Sequence, residues 1–114
     1  MGKKWINLDP RALAKAGLPR GWAERLHVLR VGNKLTLRLL GRLDLIALKL
    51  YAASDDRGPR QEIHMGDLKA LAPVFGELDF AVEWVRTLRD FEEKRLTVKY
   101  VVERLGHEDL AYYV

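Results

Sequence analysis

Lys49 is the residue of this sequence whose position most needs a chemical explanation. It lies in segment 43–53, where nearly every other residue is apolar. Burying an ammonium group is costly unless a carboxylate or an anionic ligand meets it. We therefore expect Lys49 to extend its ammonium to the rim of the core, to form a structural ion pair, or to bind substrate phosphates.

Asp67 is the acidic residue best placed to pair with Lys49. It follows His64 by one turn of the next predicted helix, so these two side chains share a face. Ile63 and Leu71 are predicted to face the core from that helix. Taken alone, the pair of Lys49 and Asp67 is interpreted as structural, and phosphate binding by Lys49 is the functional alternative.

No complete catalytic motif occurs in the chain. The sequence contains no glycine-rich phosphate loop, no Gly-x-Ser-x-Gly, no His-Glu-x-x-His and no paired carboxylates on one helix face. It has no cysteine, and its histidines are not at ligand spacing, so no metal site is predicted. Asp44 is interpreted as a first-turn acid favoured by the helix dipole rather than a catalytic group.

The elements that must position these residues follow from apolar spacing and turn-forming residues. Alternation on both sides of Gly32-Asn33 predicts a β-hairpin, and segment 43–53 predicts a central buried helix. A polar loop is expected over 54–60. The other predicted helices are a short one from Asp9-Pro10 to Ala16 and three longer ones at 63–71, 77–88 and 91–105.

These elements predict a single α+β domain over residues 1–114, a β-hairpin packed on a bundle of four to five helices. A lone hairpin is only marginally stable, so its apolar face should lie on a helix or extend a larger sheet. No membrane span or export signal is visible, which predicts a cytoplasmic protein.

The net charge of +4 comes from 20 basic and 16 acidic residues, interleaved along the chain. This pattern favours a solvated mixed surface over a nucleic-acid site. The nucleic-acid alternative would use six arginines: Arg20, Arg25, Arg30, Arg38, Arg57 and Arg60.

Two neighbouring motifs resemble a known group of proteins. The first is Asp-Leu-Ile-Ala-Leu-Lys-Leu-Tyr-Ala-Ala over 44–53, and the second is His-x-x-Asp-Leu-x-Ala-Leu-Ala-Pro over 64–73, after an Arg-Gly-Pro-Arg loop. Together they resemble the C-terminal region of bacterial nucleotidyltransferase-like proteins related to the abortive-infection (toxin–antitoxin) nucleotidyltransferases. The resemblance covers nearly the whole chain, including Trp5, Trp22 and Trp84.

The resemblance implies roles for several residues. Lys49 would contact nucleotide phosphates, with His64 and Arg60 in the same nucleotide site, and Asp67 would orient Lys49 or transfer a proton. In these relatives a glycine loop and an Asp-x-Asp strand hold Mg²⁺ and the triphosphate, and that half is expected to precede residue 1. Ile63-His64 stands where the toxins have Lys-Asp.

Three functions are therefore considered. The favoured one is a catalytically incomplete domain that serves as an oligomerisation or partner-binding module, as a homodimer or with a separate N-terminal nucleotidyltransferase chain, and needs no cofactor alone. The second is part of a nucleotidyltransferase that uses Mg²⁺ and an NTP once an N-terminal half completes it. The third is a small basic nucleic-acid-binding domain. The first predicts an exposed apolar surface at Trp5, Trp22 and the hairpin.

Overall fold

The structure of the protein is a computed structural model in which residues 10–114 are described, with side chains from Ala12 onward. Within this range the chain forms a bundle of helices, one of them central, and a separate antiparallel β-hairpin. The predicted α+β class with a helical bundle is therefore confirmed. The elements in chain order are α1 Pro10–Ala16, a 3₁₀ turn Trp22–Arg25, β1 His27–Val31, β2 Leu35–Leu39, α2 Arg42–Asp55, α3 Gly58–Leu71, α4 Phe75–Arg86, α5 Phe91–Arg104 and α6 Glu108–Tyr112.

Helix α2 is the centre of the core, as predicted. Its side chains from Ile46 to Ser54 are all buried, because the helix is apolar nearly all round and α1, α3, α4 and α5 each pack against it. The tail folds back as α6, which buries Leu110 and Ala111. Over residues 10–114 no helix has both the length and the apolarity to cross a membrane.

The region between α2 and α3 differs from the prediction. The polar loop expected over 54–60 is much shorter, because α2 continues to Asp55 and α3 begins at Gly58. Ser54 stays helical and donates its hydroxyl to the Leu50 carbonyl, and Pro59 is compatible with a first helical turn.

The face of α3 that meets the core also differs. Ile63 was predicted to be buried, but 57% of it is exposed. The buried residues of α3 are Gln61, His64, Met65 and Leu68, which share one face at helical spacing. Apolar spacing did not identify this face, because Gln61 and His64 are polar residues at two of its positions.

The hairpin does not bury an apolar face within the described part of the chain. Every residue of β1 and β2 is exposed, and the two strands pack extensively only against each other. Trp22 beside it is also exposed, as the partner-binding hypothesis predicts. The predictions for Trp5 and for Asp9 as a helix cap lie outside the described residues.

Candidate functional site

The side chains predicted to carry chemistry lie along the seam between α2 and α3. Lys49 projects from the buried helix, and its Nζ lies 2.8 Å from Oδ2 of Asp67. Only 1% of the lysine side chain is exposed, against 21% of the aspartate. The predicted pairing is confirmed, because a buried ammonium needs a carboxylate close by and α3 supplies it.

The contact between Lys49 and Asp67 is a close ion pair whose angles depart from those of a well-formed hydrogen bond. Although the two atoms are 2.8 Å apart, neither has a partner with hydrogen-bond geometry among the described residues. At this distance the two charges are in direct contact. The Lys49 ammonium is buried against this carboxylate, so it is not accessible to a phosphate in solution while α2 and α3 are packed as they are here.

His64 and Arg60 face a different carboxylate. Nε2 of His64 lies 3.0 Å from Oδ2 of Asp56, and Nε of Arg60 lies 3.6 Å from the same oxygen. The structure therefore groups these two residues around Asp56, at the end of α2, and it groups Lys49 with Asp67 further along the seam. Their predicted roles in nucleotide binding stay predictions.

Gln61 adds an uncharged contact between the two helices. Its side-chain amide donates a hydrogen bond of 2.9 Å to the carbonyl of Ala53. Sequence reasoning missed this residue, whose signal is a polar position on the buried face of α3. Gln61, the Lys49 contact and the Asp56 contacts together make the seam a series of polar links inside an apolar core.

A second buried carboxylate, Asp44, is held by Arg25. Asp44 is completely buried, and the Nε and Nη2 atoms of Arg25 donate to its two oxygens at 2.8 and 2.6 Å. The hydrogen bonds and charge of Asp44 raise the pKa of Arg25 above its usual value, although burial opposes them. Asp44 is in the first turn of α2, as predicted, but the link to the 3₁₀ turn was missed because 19 residues separate the partners.

A third polar group joins α1, α2 and α5. Lys94 lies 2.9 Å from Asp55 and 3.2 Å from Asp90, Lys15 also contacts Asp55, and the Tyr51 hydroxyl donates to Asp90. Burial is the largest influence on both carboxylates and opposes their ionisation. Their hydrogen bonds and cations nevertheless outweigh it and lower the pKa of each.

The described residues do not supply a magnesium site. No group of three or more His, Cys, Asp or Glu side chains within residues 10–114 is arranged to hold a metal ion. Asp44, Asp55 and Asp67 are instead each occupied by a cation of the chain. A Mg²⁺ ion of the kind the resemblance implies would thus need carboxylates from elsewhere.

Half of the arginines considered for nucleic-acid binding are engaged inside the protein. Arg25 holds Asp44, Arg57 donates to the carbonyls of Ser54 and Asp56, and Arg60 lies near the Asp56 carboxylate. These contacts leave fewer cations for phosphates than the sequence suggests.

The hairpin has two different faces. Residues opposite each other in the register share a face, so His27, Leu29 and Val31 lie beside Leu39, Leu37 and Leu35. The five aliphatic side chains of this apolar face are 37–51% exposed. The opposite face, the basic face, carries Val28, Arg30, Thr36 and Arg38.

Comparison with known proteins identified no relative of this chain. No protein-family model matches the sequence, and no curated protein or solved structure is significantly similar to it. The similarity to nucleotidyltransferase-like proteins therefore rests on the two motifs alone and stays a prediction.

Proposed function

We propose that this chain is a nucleotidyltransferase-like C-terminal domain that acts as a partner-binding module and has no catalytic centre of its own. The partner is a nucleotidyltransferase-type catalytic domain, and the hairpin is the element that docks onto it. The observation that carries the proposal is the apolar face of the hairpin, which no other described element covers.

Exposed aliphatic residues are ordinary when they are scattered, but these form one continuous surface. Leu29, Val31, Leu35, Leu37 and Leu39 lie on neighbouring strands and on the same side. An exposed apolar surface of this kind marks an interaction site in a soluble protein. A hairpin is also too small to be independently stable, so a partner that covers it stabilises its structure.

The buried ion pair supports a module without its own chemistry. Lys49 is the residue that the resemblance places on nucleotide phosphates, yet it is sealed between α2 and α3 by Asp67. Phosphoryl and nucleotidyl transfer also require metal ions and backbone donors around the phosphates, and one lysine does not replace them. The completed nucleotidyltransferase would need Lys49 to leave this position.

A partner of a different sequence fits better than a second copy. Stable interfaces bury about 800 Å² on each side and involve roughly 20–30 residues of each partner. The apolar face offers five half-exposed side chains, so two hairpins that meet only through this face fall short of that size, and a different partner must also contact residues outside it. The isolated chain is therefore expected to associate with itself only weakly.

The double substitution Leu29→Thr with Leu37→Thr tests this function. Both residues are exposed, so the free energy of unfolding should change by less than about 0.5 kcal/mol in urea denaturation. Sedimentation equilibrium should detect weak, concentration-dependent self-association of the wild type, and this association should disappear in the double variant because the apolar face becomes polar.

The control is Ile63→Thr, an exposed aliphatic residue on α3, and it should leave self-association unchanged. A loss of about 2 kcal/mol or more in the double variant would show that the hairpin belongs to the core of this chain. That result would contradict the proposal.

A further inference from the structure

We infer that the partner docks by adding a β-strand to an edge of the hairpin, and that this strand alternates apolar residues with acidic ones. The inference rests on the proposed function and specifies the chemistry of its partner. It follows from the open edges of the hairpin and from the distribution of charge between the hairpin and the helices.

Both edges of the hairpin are open. The sheet has two strands, and no backbone hydrogen bond joins either of them to another element within residues 10–114. In an antiparallel ladder every second residue of a strand directs its N–H and C=O away from its neighbour. The outward groups of β1 and β2 are thus free to pair with a further strand.

Neither strand has the usual obstacles to edge pairing. The register runs without a bulge from the pair of His27 and Leu39 to the pair of Val31 and Leu35, and neither strand contains proline. The protection that remains is the charge of the basic face. Such charges repel a basic strand, and they attract an acidic one.

The positive charge of the protein is concentrated on the hairpin. The whole chain has 20 basic and 16 acidic residues, whereas segment 27–39 has three basic residues, Arg30, Lys34 and Arg38, and no acidic one. The rest of the chain therefore has 17 basic and 16 acidic residues and is nearly neutral.

Among the described residues, many cations of the helical part are paired with carboxylates, although some, such as Lys69 and Arg89, are not, and no cation of the hairpin is paired. Among the residues that the structure describes, Arg30, Lys34 and Arg38 take part in no ion pair. The matched pairs of the remaining chain include Arg25 with Asp44, Arg42 with Glu77, Lys49 with Asp67, Lys94 with Asp55 and Arg104 with Glu62.

The hairpin carries only positive charges and none of them is paired, which favours a partner that supplies carboxylates. Arg30 and Arg38 are diagonal neighbours on the basic face, about 7–8 Å apart, and a strand added beside them places its own alternate residues on the same face. Acidic residues there would pair with the arginines, while the intervening apolar residues would extend the apolar face. A second copy would bring three more positive charges instead.

Synthetic strand peptides test the inference. One peptide alternates valine with glutamate, and a second alternates valine with lysine. We expect the acidic peptide to shift the backbone amide resonances of segment 27–39 and to bind at least tenfold more tightly than the basic one at low salt. N-methylation of alternate amides along one edge of the acidic peptide should abolish the binding of that peptide, because it removes the backbone N–H donors that pair with the hairpin.

The charge-reversed variant Arg30→Glu with Arg38→Glu should invert the preference and bind the basic peptide more tightly. The matched control reverses two exposed cations of the helical part, Lys69→Glu with Arg89→Glu, and should keep the wild-type preference. Equal binding of the two peptides, or no binding of the acidic one, overturns the inference.

Two further outcomes separate the alternatives. Tighter binding of a labelled single- or double-stranded oligonucleotide than of the acidic peptide would assign the basic face to nucleic acid and also overturn the inference. If the Leu29 and Leu37 substitutions abolish self-association while the peptides fail, the docking function stands and its acidic partner strand is rejected. Failure of both experiments removes the docking function itself.

Discussion

At the scale of single residues, two buried carboxylate contacts show what sequence reasoning can reach. The pairing of Lys49 with Asp67 was predictable, because an ammonium on an apolar helix needs a carboxylate and the next helix offers one. The pairing of Asp44 with Arg25 was not, because the hairpin separates the two in sequence and a helix dipole already accounts for a first-turn acid.

Removing either member of the buried pair should have unequal effects on stability. Asp67→Ala leaves the Lys49 ammonium buried without a carboxylate and should cost about 3 kcal/mol or more of unfolding free energy. Lys49→Met leaves Asp67, which is 21% exposed and can be hydrated, and should cost less than about 1.5 kcal/mol. Urea denaturation measures both values.

The double variant Lys49→Met with Asp67→Ala supplies the control. It should recover most of the stability lost in Asp67→Ala, because no charge then stays buried. If Lys49→Met is the more damaging single substitution, the pair is not the structural link described here.

At the scale of elements, the sequence predicts helices better than their ends and faces. The central helix, the hairpin and the helices at 77–88 and 91–105 are found with ends that differ by about two residues, because apolar periodicity defines them. The prediction of which α3 face is buried was wrong at Ile63, because Gln61 and His64 occupy core positions and make polar contacts with the end of α2.

The polar group that joins α1, α2 and α5 should govern the acid stability of the bundle. The folded state lowers the pKa of Asp55 and Asp90, with the cations and hydrogen bonds outweighing burial. A lowered pKa contributes stability above the unfolded value of about 3.9, and this contribution is lost as the pH falls through the folded value. Burial, followed by the hydrogen bond to Asp90, raises the pKa of Tyr51, so stability should also decline above about pH 10.

Asp55→Asn tests the predicted loss of stability at low pH. The variant should lose about 2 kcal/mol of unfolding free energy at pH 7, and its stability should fall less steeply than that of the wild type between pH 5 and pH 2. Asp109→Asn, an exposed carboxylate on α6, is the control and should follow the wild-type curve. Parallel curves for Asp55→Asn and the wild type would exclude this role for Asp55.

At the scale of the whole molecule, the described part of the protein consists of a helical bundle in which many charges are paired, and a hairpin whose apolar face is uncovered and whose cations are unpaired. The alternation of apolar residues that predicts the hairpin also predicts that its apolar face is covered. No element within residues 10–114 covers this face. Sequence patterns therefore indicate an apolar surface that residues 10–114 leave exposed, and they do not identify what covers it.

Amide hydrogen exchange of the isolated chain, at a concentration low enough to keep it monomeric, tests the central claim most directly. We predict that amides of segment 27–39 exchange several orders of magnitude faster than those of segment 46–53 in α2, because the hairpin opens without unfolding the helices. Protection of the hairpin equal to that of α2 would show that it is part of the cooperative core, and would contradict its assignment as a docking element.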